Sequence, residues 1–260
     1  MVTTTAAYRM ITNDLTRALN NTAKKPQAAR ETAYYLANIE KVKSVDDFMA
    51  DKRLYNYVMK AFGLQDMAYA KAFIRKALEG GVDDPESFAN RLSDTRYKDM
   101  VATFNFVRHG ELTTVFERTR QGTVDRYMRQ TLEEDAGGTN EGVRLALYFE
   151  RKASGVTSPY GLLADPALLK VAQTALGLPA TMSLQSIEKQ AATIEKRLDI
   201  EDLKDPAKVK SLLTRFTALW ELQNPTSTAA APSIIIGQST PAGVNQGLLA
   251  ALQYLKLGGN

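Results

Sequence analysis

Two residue types that carry much of enzyme chemistry are missing or nearly missing from this chain. Its 260 residues contain no cysteine and a single histidine, His109. The absence of cysteine excludes disulfides, thiolate nucleophiles, cysteine-bound zinc and iron–sulfur clusters. A single histidine excludes metal sites built from several histidines and ties any Ser-His-Asp triad to His109. The sequence therefore predicts no metal site and no cofactor, and we expect a protein that is not an enzyme.

Long apolar runs and strong charge of one sign are also missing. No stretch of about 18 apolar residues occurs, so the sequence predicts no membrane span. Arg9 and Asp14 lie where a secretory signal would be apolar, so we expect no cleaved signal peptide and a cytoplasmic location. The net charge is +4, and basic and acidic residues are interleaved, so nucleic-acid binding is disfavoured.

The tetrapeptide Arg108-His109-Gly110-Glu111 resembles the signature of the histidine phosphatases. That mechanism needs a second histidine in the phosphate pocket, which this chain does not contain, so the phosphatase interpretation is rejected. We expect His109 near a helix C-terminus instead, where a cationic ring is favourable.

The acidic clusters are expected at helix ends and turns rather than at metal or acid–base sites; they lie at 46–47, 83–84, 133–135 and 201–202.

One segment of the chain occurs twice. Residues 48–64 read FMADKRLYNYVMKAFGL, and residues 162–178 read LLADPALLKVAQTALGL. The copies are offset by 114 residues (Asp51 to Asp165), and flanking residues such as Tyr34 and Tyr148 keep the same offset. Self-similarity of this kind shows that one structural unit is used more than once. The duplication defines an architecture and leaves the chemistry open.

Each copy carries the signals of a capped amphipathic helix. Asp51 and Asp165 stand where a carboxylate can accept hydrogen bonds from the free amides of a helix start. Apolar residues then recur with helical spacing, and Gly63 and Gly177 follow where the chain leaves the helix. Strand signals are almost absent. The sequence predicts an all-α fold, in which a duplicated multi-helix repeat packs as one elongated helical body with amphipathic helices at both termini.

Glycines, prolines and changes in composition indicate where the helices begin and end. We expect helices beginning at Asp51, Asp66, Asp84 and Asp94, a helix from Leu112 to Glu134 that Gly137-Gly138 ends, and a helix capped by Thr139. The resulting organisation is an N-terminal helix (1–25), a first helical repeat (26–110), a connecting helix (111–138), a second helical repeat (139–222), a linker (223–241) and a C-terminal helix (242–260).

Apolar stripes near the two termini are the candidate partner-binding residues. The N-terminal stripe contains Ile11, Leu15 and Leu19, and the C-terminal stripe contains Leu248, Leu252 and Leu255. Helices of this kind can lie in the groove of a partner protein. The alternative is that both stripes dock on the protein's own core. The sequence leaves the oligomeric state open.

Three long segments resemble an uncharacterised alphaproteobacterial family, domain of unknown function 1217. They read RETAYYLANIEKVKSVDDFMADKRL, KAFGLQDMAYAKAFIRKALEGGVDDPESFANRLSDTRY and QTLEEDAGGTNEGVRLALYFERKASG, and the resemblance covers residues 8–222. Members are all-helical, and genes of the family commonly lie among flagellar genes. The resemblance implies a role in building or regulating the flagellum, and it implies no catalytic residues.

The leading hypothesis is therefore a non-enzymatic flagellum-associated protein that acts in assembly, export or structure through helical protein-binding surfaces. Its partners would be proteins, flagellar components among them, and export by the flagellar secretion apparatus is the alternative to a cytoplasmic location. A helical nucleic-acid-binding regulator would need clustered basic residues, for which Lys71, Arg75 and Lys76 are the modest candidates. An enzyme with a site assembled from scattered polar residues is the third hypothesis; a deep polar pocket with perturbed carboxylates would favour it.

Overall fold

Helices make up the part of the chain that the structure describes. The computed structural model describes residues 2–225, and no β-strand occurs among them, which confirms the expected all-α fold. The described residues belong to one compact unit, which contains both copies of the repeat. The expected C-terminal helix and almost all of the expected linker lie outside the described residues.

The helices are numbered in chain order, and none within residues 2–225 is long and apolar enough to cross a bilayer. They are α1 (Thr4–Thr12), α2 (Leu15–Ala23), α3 (Pro26–Asn38), α4 (Val45–Ala50), α5 (Lys52–Ala61), α6 (Lys71–Gly80), α7 (Thr95–Thr103), α8 (Phe106–His109), α9 (Gln121–Thr139), α10 (Glu141–Lys152), α11 (Pro159–Ala164), α12 (Pro166–Leu176), α13 (Ile187–Glu195) and α14 (Pro206–Gln223).

The two copies repeat the same order of helices and the same caps. Helices α3, α4 and α5 of the first copy correspond to α10, α11 and α12 of the second. Asp51 accepts hydrogen bonds from two backbone N–H groups of α5 at 2.9 and 3.0 Å, and Asp165 does so from α12 at 2.9 and 3.1 Å. Both helices are followed by a glycine of positive φ, 70° at Gly63 and 63° at Gly177. These predicted caps are confirmed.

A tyrosine fixes each of these helix starts. The Tyr34 hydroxyl donates a hydrogen bond to Asp51 Oδ2 at 2.8 Å, and the Tyr148 hydroxyl donates to Asp165 Oδ2 at 2.7 Å. One carboxylate oxygen thus caps a helix while the other receives a hydroxyl from the preceding long helix. The shared carboxylate sets the position of α5 against α3 in the first copy and of α12 against α10 in the second.

Each copy has its own apolar core. The first cluster includes Phe48 and Phe104, the second includes Phe149 and Phe216, and the two clusters have no residue in common. Helix α9 contacts both, because Tyr127 in its first half belongs to the first cluster and its last turns pack on the second. Helix α9 packs on α5 as α14 packs on α12, so each copy is closed by one long helix.

The first copy contains two helices that the second lacks. Helices α7 and α8 lie between α6 and α9, whereas only the 3-10 turn Ile200–Lys204 separates α13 from α14. Helix α7 is anchored in the first core by the buried side chains of Tyr97, Met100 and Val101. This addition is the main difference between the two copies.

The helix expected at Asp84 does not form, so that prediction is wrong. The Asp84 carboxylate accepts a hydrogen bond from the Glu86 N–H at 2.8 Å, as a cap would. The Asn90 amide, however, donates to the carbonyl oxygens of Val82 and Asp84 at 2.9 and 2.7 Å. Because the Asn90 side chain occupies these carbonyl oxygens, it competes with the backbone N–H groups of an α-helix. The segment therefore folds into turns, the last of which is the 3-10 turn Ala89–Arg91. At the matching position of the second copy, Asp205 caps α14 as expected.

Two of the expected helix starts lie further along the chain. The helix expected at Asp66 begins at Lys71, because Gln65–Met67 form a 3-10 turn two residues after Gly63, whose φ is positive. The helix expected from Leu112 is a 3-10 turn over Gly110–Val115, and α9 begins only at Gln121.

The end of α9 also differs from the expectation. The helix continues through Gly137-Gly138 to Thr139, and Asn140 rather than Thr139 caps α10. A Cβ atom at Gly137 would lie 2.7 Å from Arg144 Cδ, so this glycine serves the close approach of α10 instead of ending the helix.

The expected single N-terminal helix is divided in two. Asp14 accepts a hydrogen bond from the Arg17 N–H at 2.9 Å and starts a new helix, α2, after α1 has ended. The two short helices then pack on different parts of the protein.

Replacing either duplicated aspartate is expected to destabilise the fold by a similar amount. Asp165→Ala removes the oxygen that accepts from two backbone N–H groups of α12 and leaves the Tyr148 hydroxyl without its partner, which should lower the free energy of unfolding by about 1–3 kcal/mol. Asp51→Ala should have a comparable effect. Urea denaturation measures both. The control is Asp66→Ala, an exposed carboxylate with no cap hydrogen bond; an equal loss there would contradict the assignment.

Candidate functional site

The N-terminal stripe lies against the protein's own core. Helix α1 packs on α10 and α14, while α2 packs on α9. Ile11 is partly buried against the second apolar cluster, Leu19 is partly buried against the first, and Leu15 is half-buried. The structure thus shows the docking that the sequence left as an alternative, and partner binding by these residues stays a prediction. Leu248, Leu252 and Leu255 lie outside the described residues.

A cleft lies between the two copies, with a volume of about 920 Å³. One wall is formed by the loop before α7 and the first turns of α7, and the opposite wall by α10 and the start of α12. Helix α9 forms its floor. The volume falls within the range of about 300–1,000 Å³ that is usual for ligand pockets. We call this cavity the inter-repeat cleft.

A buried carboxylate forms the floor of the inter-repeat cleft. Glu133 of α9 is 1% exposed and accepts three hydrogen bonds from two arginines. Arg129 Nε lies 2.9 Å from Glu133 Oε1, and Arg151 Nε lies 2.8 Å from the same oxygen. Arg151 Nη2 donates to Glu133 Oε2 at 2.7 Å. Since Arg151 is on α10, this carboxylate joins α9 to the second copy.

The hydrogen-bonded network continues along α9 to the first copy. Gln130 accepts from Arg151 Nη2 at 3.4 Å and donates to Glu134 Oε1 at 3.0 Å. Glu134 Oε2 in turn lies 2.8 Å from the Lys60 ammonium on α5. A continuous set of polar side chains therefore runs from the first copy to the second beneath the cleft.

The α7 wall carries a second ion pair. Arg96 Nε lies 3.0 Å from both carboxylate oxygens of Asp94, and Nη2 lies 2.7 Å from Oδ2. Burial raises the pKa of Asp94, but the hydrogen bonds and charge of Arg96 outweigh it, so the pKa lies below its usual value. Asp94 also caps α7 through the Arg96 N–H, and Arg96 Nη1 donates to the Gly63 carbonyl oxygen.

One ion pair joins the two walls at the mouth of the cleft. The Lys152 ammonium of α10 lies 3.1 Å from Asp99 Oδ2 of α7. The Lys152 side chain is 24% exposed and that of Asp99 is 44% exposed, so water and salt reach this contact. The mouth is therefore held far less firmly than the floor.

The cleft presents hydrogen-bonding and charged groups without an evident acid–base or metal centre. Within residues 2–225, no group of three or more His, Cys, Asp or Glu residues could hold a metal ion. Burial and the hydrogen bond to Asp165 raise the pKa of Tyr148, so its hydroxyl stays protonated as a donor. The Asp94 pKa is lowered, whereas a general acid needs a raised one. These groups are suited to binding a polar ligand.

His109 lies away from the cleft lining, at the C-terminal end of α8, which confirms its expected place near a helix end. Its ring packs edge-on against Phe116, with centroids 4.9 Å apart. Burial and the charges of Arg118 and Arg108 lower its pKa, so the expected cationic ring is disfavoured.

The basic cluster that a nucleic-acid-binding regulator would need is engaged in intramolecular contacts. Arg75 pairs with Asp46 and, at 3.3 Å, with Glu79. The Lys71 ammonium lies 5.6 Å from the ring centroid of Tyr55, and the Lys76 ammonium lies 4.7 Å from that of Phe88. These contacts weaken the case for phosphate binding by this helix.

The residues of the cleft escaped the sequence analysis because they come from distant segments. Asp94 was expected as a helix start, and the acids at 133–135 as a helix end. One signal was available: Tyr34 and Tyr148 recur with the same offset as Asp51 and Asp165, which would have predicted the two tyrosine–aspartate contacts. Nothing comparable links Lys152 to Asp99.

The fold and the cleft define an all-α protein built from two copies of a helical repeat. The chain belongs to the family described as protein of unknown function (DUF1217), whose model matches residues 61–209. It is also similar to an Agrobacterium tumefaciens protein of known crystal structure, at 52% identity, over 84% of this chain and 93% of that chain, with a TM-score of 0.78. No curated protein matches the chain. The family expected from the sequence is confirmed.

Removing the buried carboxylate at the floor should cost far more stability than removing its neighbour. Glu133→Gln leaves the charges of Arg129 and Arg151 without their buried partner, and we expect a loss of about 3–5 kcal/mol in the free energy of unfolding. Glu134→Gln breaks a more exposed pair with Lys60 and should cost about 1 kcal/mol or less. Denaturation curves compare the two. Equal losses would show that the floor does not hold the copies together.

The low pKa of Asp94 should depend on Arg96. A carboxyl group whose pKa is lower in the folded than in the unfolded protein stabilises the fold at pH values above the unfolded-state pKa. This stabilisation disappears as the pH falls through the folded-state pKa. An NMR titration of Asp94 is expected to give a midpoint below 3.8, and Arg96→Gln should move it upward. The exposed residue Arg91 provides the control, Arg91→Gln. An unchanged midpoint in Arg96→Gln would contradict the ion pair as the cause.

Proposed function

We propose that this protein is a non-enzymatic flagellum-associated factor that binds protein partners through its helical surfaces. The flagellar part is supported by the family resemblance, because genes of the family commonly lie among flagellar genes. The observation that supports the non-enzymatic part is the chemistry of the inter-repeat cleft. Its size suits a ligand, yet Glu133, Asp94 and Asp99 are each held in ion pairs with basic side chains.

Exposed apolar side chains on the second copy support protein binding. Leu184 is 85% exposed, Ile187 is 52% exposed and Tyr160 is 49% exposed. Helices α11 and α13, which carry Tyr160 and Ile187, pack against each other. In the first copy the position of Tyr160 is taken by Asp46, which pairs with Arg75. Exposed apolar residues on neighbouring elements are a feature of protein–protein interfaces. We call these three residues the apolar patch.

The proposed compartment is the cytoplasm, with export by the flagellar secretion apparatus as the alternative. An enzyme with a site in the cleft is the alternative function, since the cleft is polar and large enough for a small substrate. The nucleic-acid alternative has less support, because the basic residues of α6 are engaged.

Deleting the gene should impair swimming while leaving growth normal, because the proposal places the protein in the flagellum and not in metabolism. Swimming assays and electron micrographs of the flagella measure the effect. Missing hooks or filaments would place the protein in assembly, and complete flagella that fail to turn would place it at the motor. The wild-type gene supplied on a plasmid must restore swimming. Normal swimming of the deletion strain would overturn the flagellar proposal.

Complementation with surface variants separates protein binding from stability. Leu184→Glu with Ile187→Glu disrupts the apolar patch, and we expect it to fail to restore swimming while its melting temperature stays within a few degrees of wild type. The control is Tyr69→Glu, which alters a residue that is 80% exposed on the first copy. Full complementation by the patch variant would show that this surface binds no essential partner.

A further inference from the structure

The inter-repeat cleft is bounded by two bodies that share no apolar core. The first apolar cluster supports the α7 wall, and the second supports the α10 and α12 wall. Interior apolar packing resists deformation because it is as dense as an organic crystal. Relative movement is therefore easiest between the two clusters, where polar contacts replace shared apolar packing.

Those polar contacts differ sharply in strength from floor to mouth. At the floor, Glu133 is 1% exposed and receives three hydrogen bonds from Arg129 and Arg151. At the mouth, Lys152 and Asp99 make one ion pair with exposed fractions of 24% and 44%. Exposed ion pairs contribute little to the free energy of unfolding and are screened by salt. A buried carboxylate that loses its partners, in contrast, destabilises the protein strongly. The walls should separate at the mouth while the floor stays intact.

The charges on the two walls are complementary beyond the one pair that is formed. Arg96 on the α7 wall is attracted by the charge of Asp165 on the opposite wall. Lys152 acts on Asp94 as well as on Asp99. No hydrogen bond joins Arg96 to Asp165 among the described contacts, so this attraction is present without direct contact. Both attractions would strengthen if the walls came closer together.

We propose that the inter-repeat cleft is a clamp whose walls rotate about the Glu133 floor, with the Lys152–Asp99 ion pair as the latch at its mouth. With the latch formed, the walls are drawn together by complementary charge. With the latch broken, they swing apart and the cleft opens. The clamp does not depend on the proposed flagellar role, because it is a property of this chain alone.

The absence of cysteine makes the clamp directly measurable. Ser93→Cys and Thr157→Cys place one thiol on each wall, both at exposed positions that line the cleft. Spin labels on these two thiols report the distance between the walls by pulsed electron paramagnetic resonance on the full-length protein. At low salt we expect a main short-distance population, and raising the salt should increase the long-distance population.

Charge-reversal variants identify the latch. Lys152→Asp should reduce the short-distance population about two- to fivefold. Adding Asp99→Lys to it restores an opposite-charge pair and should restore that population. The control is Lys98→Glu, which makes the same change in net charge at an exposed residue lining the same cleft. Circular dichroism melting verifies that each variant is folded, and Lys152→Gln replaces Lys152→Asp if it is not.

Two results would overturn the clamp. One is a single distance that neither salt nor Lys152→Asp changes, since the walls would then be rigid. The other is a shift that Asp99→Lys fails to reverse, or that Lys98→Glu produces equally, because the Lys152–Asp99 pair would then not be the latch.

Discussion

The two halves of this protein depend on one buried carboxylate. Glu133 lies on α9, the helix that reaches both apolar clusters, and it binds Arg151 of α10 through both of its oxygens. A buried ion that loses its partner is strongly destabilising, so this contact cannot be broken without a large loss of stability. The carboxylate therefore fixes the position of α10 on α9. Because α10 begins the second copy and α9 closes the first, this contact sets the α10 wall of the cleft relative to its floor.

The cleft exists because the two copies are unequal. Each copy has a tyrosine–aspartate contact, a capped helix and a left-handed glycine in the same order, and these features build two similar cores. The first copy alone has α7, whose N-terminal turns face the second copy across the cleft. Duplication thus supplied two stable bodies, and the additional helix supplied a polar surface between them. Function is accordingly sought in the residues that the repeat does not share, such as Arg96, Asp99 and Lys152.

The features that the sequence predicted correctly depend on local contacts. Asp51, Asp165, Gly63 and Gly177 act within a few residues of their own positions, so spacing along the chain was sufficient to identify them as caps. The helix predicted at Asp84 does not form, because the Asn90 side chain donates hydrogen bonds to the carbonyl oxygens of Val82 and Asp84. The periodicity of apolar residues does not reveal this competition. The site was missed for a different reason: its ion pairs join α7, α9 and α10, and single-sequence patterns carry no record of such distant contacts.

Helix α14 closes the second copy as α9 closes the first, but some of its outward residues are charged. Helix α9 packs on α5 with one face and on α10 with another, so it links two copies. On α14, the inward residues Leu213 and Phe216 are buried, but Lys210 and Arg215 are exposed to solvent. Packing another helix over Lys210 and Arg215 would bury those charges without partners, which is unfavourable. Among the described residues, the inter-repeat cleft and the apolar patch are the surfaces on which the binding proposal rests.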